Sequence, residues 1–150
     1  VTTYADLGLW ALATLRATPL VVACVENANA ILEAGDVTSE RINAAQEARR
    51  ENKRTHQVLA IVVQDLGEED FVAQCAVFVY DRYGYSNIRA ARVAIIDALV
   101  NQPARLAREA LVNAVQFTSR SGHAIDVQFD LDIERIIFSG PLVVERDRYA

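Results

Sequence analysis

Two neighbouring stretches, "VLAIVVQDL" at 58–66 and "FVAQCAVFVY" at 71–80, constrain the fold more than any other part of the chain. Both are rich in β-branched and aromatic residues, and Asp65, Gly67 and the acidic residues between them supply a turn. A β-hairpin is therefore predicted over about 57 to 81. Each strand is apolar in part on both faces, which marks strands that lie centrally in a sheet and are covered on each side. The expected class is α+β: a mostly antiparallel sheet of about four to five strands packed with two main helices, plus a polar insertion.

Elements flanking the hairpin follow from periodicity and breakers. Thr3 and Asp6 stand at a capping-box-like spacing, and Tyr4, Leu7, Ala11 and Leu15 recur at helical intervals, predicting a helix from about 3 to 17 that Pro19 stops. "PLVVACVENA" reads as helical at its start, and "AILEA" at 30–34 as a short strand ending at Gly35-Asp36. Residues 38–57, "TSERINAAQEARRENKRTHQ", abound in helix formers, yet Ile42 is their only large apolar residue. A helix polar all round is not held by a core, so this segment is expected to be a solvated arm or an element that docks on another chain.

After "DRYGYSN" a helix is predicted to begin at Ser86 or Asn87, with Ile88, Ala91, Ile95, Ala98 and Leu99 as its core stripe. Val93, Ile96 and Val100 make a second apolar stripe, suited to a subunit contact. Pro103 breaks the helix. "ARLAREALV" then reads as a short helical stretch, "NAVQFT" as a strand and "SRSG" as a turn before one long strand. With no repeat and no Pro-Gly-Ser linker, residues 1–150 are expected to form a single domain with a polar arm at 38–57.

That long strand, "HAIDVQFDLDIERIIF" at 123–138, alternates strictly: Ile125, Val127, Phe129, Leu131 and Ile133 on one side, Asp126, Gln128, Asp130, Asp132 and Glu134 on the other. Beyond Glu134-Arg135 the apolar positions slip to Ile136 and Phe138, which predicts a bulge. "SGP" at 139–141 reads as a turn or kink, and "LVVER" ends the sheet or lies on a neighbouring molecule. The acidic row suggests oxygen ligands for Mg²⁺ or Ca²⁺, but side chains two apart on a strand are roughly 7 Å from one another, too far for adjacent members to clamp one ion unaided. The default is a wet strand face. A different use is repulsion: a ring of like-charged faces around a channel would let DNA pass without adhering.

Composition narrows the remaining classes. A chain of 150 residues, 52% hydrophobic, has the size of one domain with one core. Its longest apolar runs, Leu20 to Val25 and Val58 to Val63, are too short to span a bilayer, and "VTTYADLGLWALATLR" lacks the features of a secretory signal, so a soluble, intracellularly made protein is expected. A net charge of −5 argues against a general nucleic-acid binder. Cys24 and Cys75 each sit in an apolar run, as small buried hydrophobes do. His56 and His123 have no zinc-type spacing. There is no GxSxG elbow, Walker loop or GxGxxG, so neither nucleophilic catalysis nor phosphate cradling is indicated, and no enzyme, cofactor or metal is expected.

The segments "CAVFVYDRYGYSNIRAARVAIIDALV" at 75–100 and "VQFDLDIERIIFSGPLVVE" at 127–145, taken with the first helix, resemble the tail terminator proteins of long-tailed, siphovirus-type bacteriophages over roughly two thirds of the chain. The shared pattern is a hairpin strand ending in a charged-Gly-Tyr turn, an amphipathic helix closing near "IIDALV", and strands that finish the sheet. The 38–57 segment is longer and more polar than that pattern. The resemblance implies a structural virion protein, assembled in the host cytoplasm and located in the tail neck. It would form a hexameric ring at the head-proximal end of the tail tube, end tube polymerisation and offer the head-tail joining surface. Implied partners are further copies of the chain, the major tail tube protein and a connector or stopper protein, with DNA only as a passing occupant of the channel and no membrane.

On that reading Asp126, Gln128, Asp130, Asp132 and Glu134 are channel-lining candidates. The seam candidates are Val93, Ile96 and Val100, the basic Arg49, Arg50, Lys53 and Arg54 of "RRENKR", and the acidic Glu68, Glu69 and Asp70 of "DLGEED". Oppositely charged runs of this kind give orientation across a contact, or else are two solvated patches. Rival readings are another neck component such as a head-completion or stopper protein, a small metal-dependent hydrolase using the carboxylates, and a small dimeric ligand-binding domain.

Overall fold

The computed structural model describes residues 3–51, 57–81, 85–106, 110–112, 115–126 and 131–144; of these, 85–86, 110–112, 118–126 and 143–144 are described in backbone only. The class is α+β, as expected. The helices are α1 (Leu7–Ala17), α2 (Pro19–Val22), α3 (Ser39–Glu51) and α4 (Tyr85–Leu99). The strands are β1 (Ile31–Glu33), β2 (Ala60–Glu69), β3 (Val72–Asp81), β4 (Ala104–Leu106), β5 (Ala110–Val112), β6 (Gln116–Asp126) and β7 (Leu131–Val144).

All strand pairs are antiparallel except β1 with β2. The long β7 organises the sheet: β3 runs along one edge, while β6 and then β5 follow each other along the opposite edge, with β4 outside β5. Because β1 and β2 are parallel, the chain between them must cross over the sheet. α3 is the helix of that crossover. The described helix of the segment expected to be a solvated arm or to dock on another chain, Ser39–Glu51, is thus laid against its own sheet by topology.

Both faces of the hairpin are covered, as its apolar pattern requires. On one face Leu7, Trp10, Ala11 and Leu15 of α1 and Ile88, Ala91, Ile95 and Leu99 of α4 pack on Ile61, Val63, Cys75, Val77, Val79, Ile136 and Phe138. On the other, Ile42 of α3 joins Leu59, Ala60, Val62 and Leu131 in a smaller cluster. Each such side chain contributes about 1.5–3 kcal/mol by leaving water, so one isoleucine holds α3 far less firmly than four apolar contacts hold α4.

Several boundaries differ from the sequence reading, each for a local reason. The first helix begins at Leu7: Asp6 is its cap, accepting from the Leu9 N–H at 2.8 Å, while Tyr4 is drawn out to bridge Leu106. The hairpin turns at Asp70-Phe71, both with positive φ (52° and 63°), as a two-residue primed turn needs. Gly67, φ 83°, lies within β2 at a bulge between Asp65 and Gly67.

Ala104–Leu106 and Ala110–Val112 are two paired strands rather than parts of a helix. Pro103 stops α4, and Ala104 and Leu106 then alternate inward into the core, overriding the helical propensity of "ARLAREALV". "SRSG" runs within β6, which absorbs the slack through bulges between Phe117 and Ser119 and between Arg120 and Gly122, and is not a turn. β7 pairs with β3 from Asp132 to Pro141 without a register shift, so the bulge expected after Glu134 is absent, and "SGP" continues the strand. "LVV" at 142–144 ends the sheet on β5.

Candidate functional site

The stretch expected to be one acidic strand is divided between two. Its first part closes β6, its last part opens β7, and Asp126 pairs with Leu131 across the reversal. Gln128 and Asp130 lie outside the described residues, and Asp126 is described in backbone only.

Asp132 and Glu134 share a face of β7 with Ile136 and Phe138, and from Glu134 to Phe138 that face is buried against α4 rather than open to water. Glu134 is 0% exposed and accepts from Arg92 Nη1 of α4 at 3.2 Å. A residue buried within its own subunit is not a channel-lining group, so Glu134 leaves that set. Asp132 stands opposite Asp81 in the β3–β7 register and is half-buried. Asp81 is itself fully buried, bonded to Arg49 Nη1 of α3 and to Asn87 Nδ2 of α4 at 3.4 Å. Acidic side chains at this end of the sheet are therefore gathered under arginines from two helices. Among the described residues no cluster of three or more His, Cys, Asp or Glu is arranged to hold a metal ion.

The basic run is divided too. Arg49 turns inward, where its Nη1 also donates to the Gln57 carbonyl at 3.0 Å, tying the end of α3 to the start of β2. Arg50 faces water and pairs with Glu47 at 2.6 Å, a contact that raises the guanidinium pKa above its ordinary value through the hydrogen bond and then the charge of Glu47. Lys53 and Arg54 lie outside the described residues. Glu68, Glu69 and Asp70 are exposed at the far tip of the hairpin. Nine strand steps from Ala60 to Glu69 put the acidic tip roughly 30 Å from the end of β2 to which Arg49 is tied. Arg49 therefore does not reach Glu69 within one subunit.

Asp65 has a structural task. Its Oδ1 accepts from the Gly8 N–H at 3.1 Å, where the positive end of α1 favours an anion, and its Oδ2 accepts from the Gly67 N–H at 3.0 Å within the bulge. Gly8 permits that approach: a Cβ there would stand 2.7 Å from the Asp65 Cβ and 2.9 Å from its backbone.

The second stripe of α4 is mixed. Val93 is 54% exposed, whereas Ile96 and Val100 are half-buried against the main core. Sequence reasoning passed over other exposed apolar groups: Leu66 and Phe71 at the hairpin tip, Leu20 on α2, and Phe117, whose ring meets Phe138 edge-on at 6.3 Å between centroids. It also passed over a cleft of about 580 Å³ between α3 and the sheet, floored by Ala44, Ala45, Ala48, Leu32 and Leu59, with Arg16 and Arg41 balanced by Glu26 and Asp36. Arg92 carried a legible signal, a lone cation four residues after Ile88 on the buried stripe of its helix.

Both cysteines are free thiols. Burial, and secondarily the charges of Asp65 and Asp6, push the Cys75 thiol up to about 12; burial raises the half-buried Cys24. Neither is a ready nucleophile at neutral pH.

Among solved structures, a chain from the virion of a native gene transfer agent (GTA) particle superimposes with a TM-score of 0.63, covering 91% of this chain and 94% of that one, with 16% of residues identical. The likeness is one of fold. No family model and no curated protein matches the sequence. Among the described residues no helix is long and apolar enough to cross a membrane.

Proposed function

We propose that this chain is a structural protein of a phage-type virion, acting as a ring subunit that caps the head-proximal end of the tail tube, ends its polymerisation and presents the surface to which the head is joined. The observation that carries the reading is the fold held in common, over nearly the whole of both chains, with a component of a gene transfer agent virion. The resemblance of residues 75–100 and 127–145 to tail terminators supports the finer assignment. A closed ring is built from a heterologous contact, in which one patch meets a different patch on the next copy. The exposed acidic residues Glu68, Glu69 and Asp70 at the hairpin tip suit one side of such a contact.

The proposed partners are further copies of the chain, probed for as a hexamer, together with the tube protein and a connector or stopper ring. Native mass spectrometry of the purified protein, alone and with tube protein, tests this. A hexamer in either setting is expected, and a lasting monomer that never joins tubes would refute it. For DNA transit, the lining proposal now rests on Asp126, Gln128 and Asp130 with half-buried Asp132. Reversing Asp126 and Asp130 to Lys is expected to leave assembly intact and slow genome ejection; ejection at the normal rate would remove DNA repulsion from the account.

A further inference from the structure

We infer that Asp81 is a latch between two helices on opposite faces of the sheet, so that α3 and the first turns of α4 open and close together. The device belongs to the single subunit and holds whether or not subunits form a ring.

α3 is lightly held. Ile42 is its only buried residue, no other described element packs along it extensively, and a cleft of about 580 Å³ stands between it and the sheet. Few buried apolar contacts mark a segment that opens locally, without global unfolding. Its far end is fastened by Arg49, whose Nη1 donates to Asp81 Oδ1 and, at 3.0 Å, to the Gln57 carbonyl.

That fastening passes round the end of the sheet. Ile42 rests on the face of Ala60, Val62 and Leu131, whereas Asp81 closes β3 two residues after Val79, on the face that α1 and α4 cover. There the second carboxylate oxygen, Oδ2, accepts from Asn87 Nδ2 at 3.4 Å, in the first turn of α4. One fully buried carboxylate thus takes a donor from each layer.

The two bonds are unequal. Arg49 brings the neutralising charge, and Asn87 brings one long bond from a neutral amide. Stranding a buried charge by removing its cation costs far more than a neutral hydrogen bond of that length returns. Asp132 stands opposite Asp81 in the β3–β7 register, and like charges so placed repel. When α3 lifts, the carboxylate therefore turns towards water, the weaker Asn87 bond parts with it, and the start of α4 frays. Linkage makes the effect mutual: loosening the start of α4 wets Asp81, weakens its pair with Arg49 and frees α3. Anything that settles on α3 and holds it down thereby firms the leading turns of the helix that presents the exposed Val93.

Hydrogen exchange of the full chain, read by mass spectrometry, tests the latch. Arg49→Met is expected to quicken exchange about tenfold or more in Ser39–Glu51 and about threefold or more in 87–92, with 95–99 unchanged. Adding Asp81→Asn removes the stranded charge and keeps an acceptor for Asn87. In that double variant 87–92 should return to within about twofold of the unaltered rates while α3 stays fast. Asn87→Ala, the milder change, should quicken α3 by about threefold while the core of β2 and β3 keeps its protection. Residues 87–92 unmoved in Arg49→Met, or as fast in the double variant as in the single, overturn the latch. So does equal quickening throughout 87–99 and the strands, which would be global loosening. Should Arg49→Met fail to fold, Asn87→Ala decides alone: α3 at its unaltered rate in that variant overturns the proposal.

Discussion

Replacing Arg92 with Met would expose how the sheet tolerates a carboxylate at its centre. Glu134 is fully buried, and the guanidinium that meets it at 3.2 Å is 18% exposed in its side chain. At an effective dielectric of about 20, unit charges at this distance attract by about 5 kcal/mol. Most of that offsets the cost of taking the carboxylate out of water, and removing one partner of a buried pair typically costs about 3–5 kcal/mol. Because Arg92 keeps some contact with solvent, the lower end applies, about 3 kcal/mol, or a fall in Tm of about 6–12 °C for a domain of this size. The double replacement Arg92→Met with Glu134→Leu puts apolar groups between Ile88, Ile95 and Ile136, and is expected to lie within about 1 kcal/mol of the unaltered protein. Urea unfolding of the four proteins, with the m-value as a check on the unfolded state, closes the cycle. A loss below about 1 kcal/mol for Arg92→Met, or a double variant no more stable than the worse single one, would refute the view that the pair neutralises a buried charge.

Three further outcomes are expected. Gly8→Ala drives a methyl into the backbone of Asp65 and should cost about 1–3 kcal/mol in chemical denaturation; an unchanged midpoint would mean that α1 does not sit as tightly on the β2 bulge as described. Since the Cys75 thiol is raised from 9.0 to about 12, the unfolded chain loses this proton at lower pH than the folded one. Stability should therefore fall by up to about 1.4 kcal/mol per unit as pH rises from 9 towards 12. Cys75→Ala, although less stable at neutral pH, should show a flatter decline, and parallel declines would count against the assignment. Finally, Ile42→Ala and Arg49→Met each remove one fastening of α3. Hydrogen exchange should quicken at least tenfold in Ser39–Glu51 while the core of β2 and β3 stays protected, and equal quickening in both regions would show that α3 does not open separately.

Elements whose evidence is local were legible in the sequence. The β2–β3 hairpin, α1, the start of α2, the short β1 and the core stripe of α4 all follow from runs of suitable residues and nearby breakers. Where two local signals competed, the reading failed: Gly67 looked like the turn but serves a bulge, and the helix formers at 104–106 and 110–112 are strands because Pro103 and the core position of Leu106 outweigh propensity. Of the seam candidates, Val93, Glu68, Glu69 and Asp70 stand exposed, while Arg49, Ile96 and Val100 are turned largely towards their own subunit. Phe71 gave no sign, because positive φ belongs to the turn geometry rather than to the residue.

The amino-acid order by itself determined that β7 has two unlike faces and that the hairpin must be covered on both sides. Only the tertiary structure decided what covers each face of β7, and it laid α4 over the face bearing Glu134. Alternation along a strand is settled by covalent neighbours, whereas burial is settled by whatever packs from afar. Here α4 brings Arg92 from 42 positions away, and α3 brings Arg49 to Asp81 from 32, supplying the charges that let carboxylates lie beneath helices.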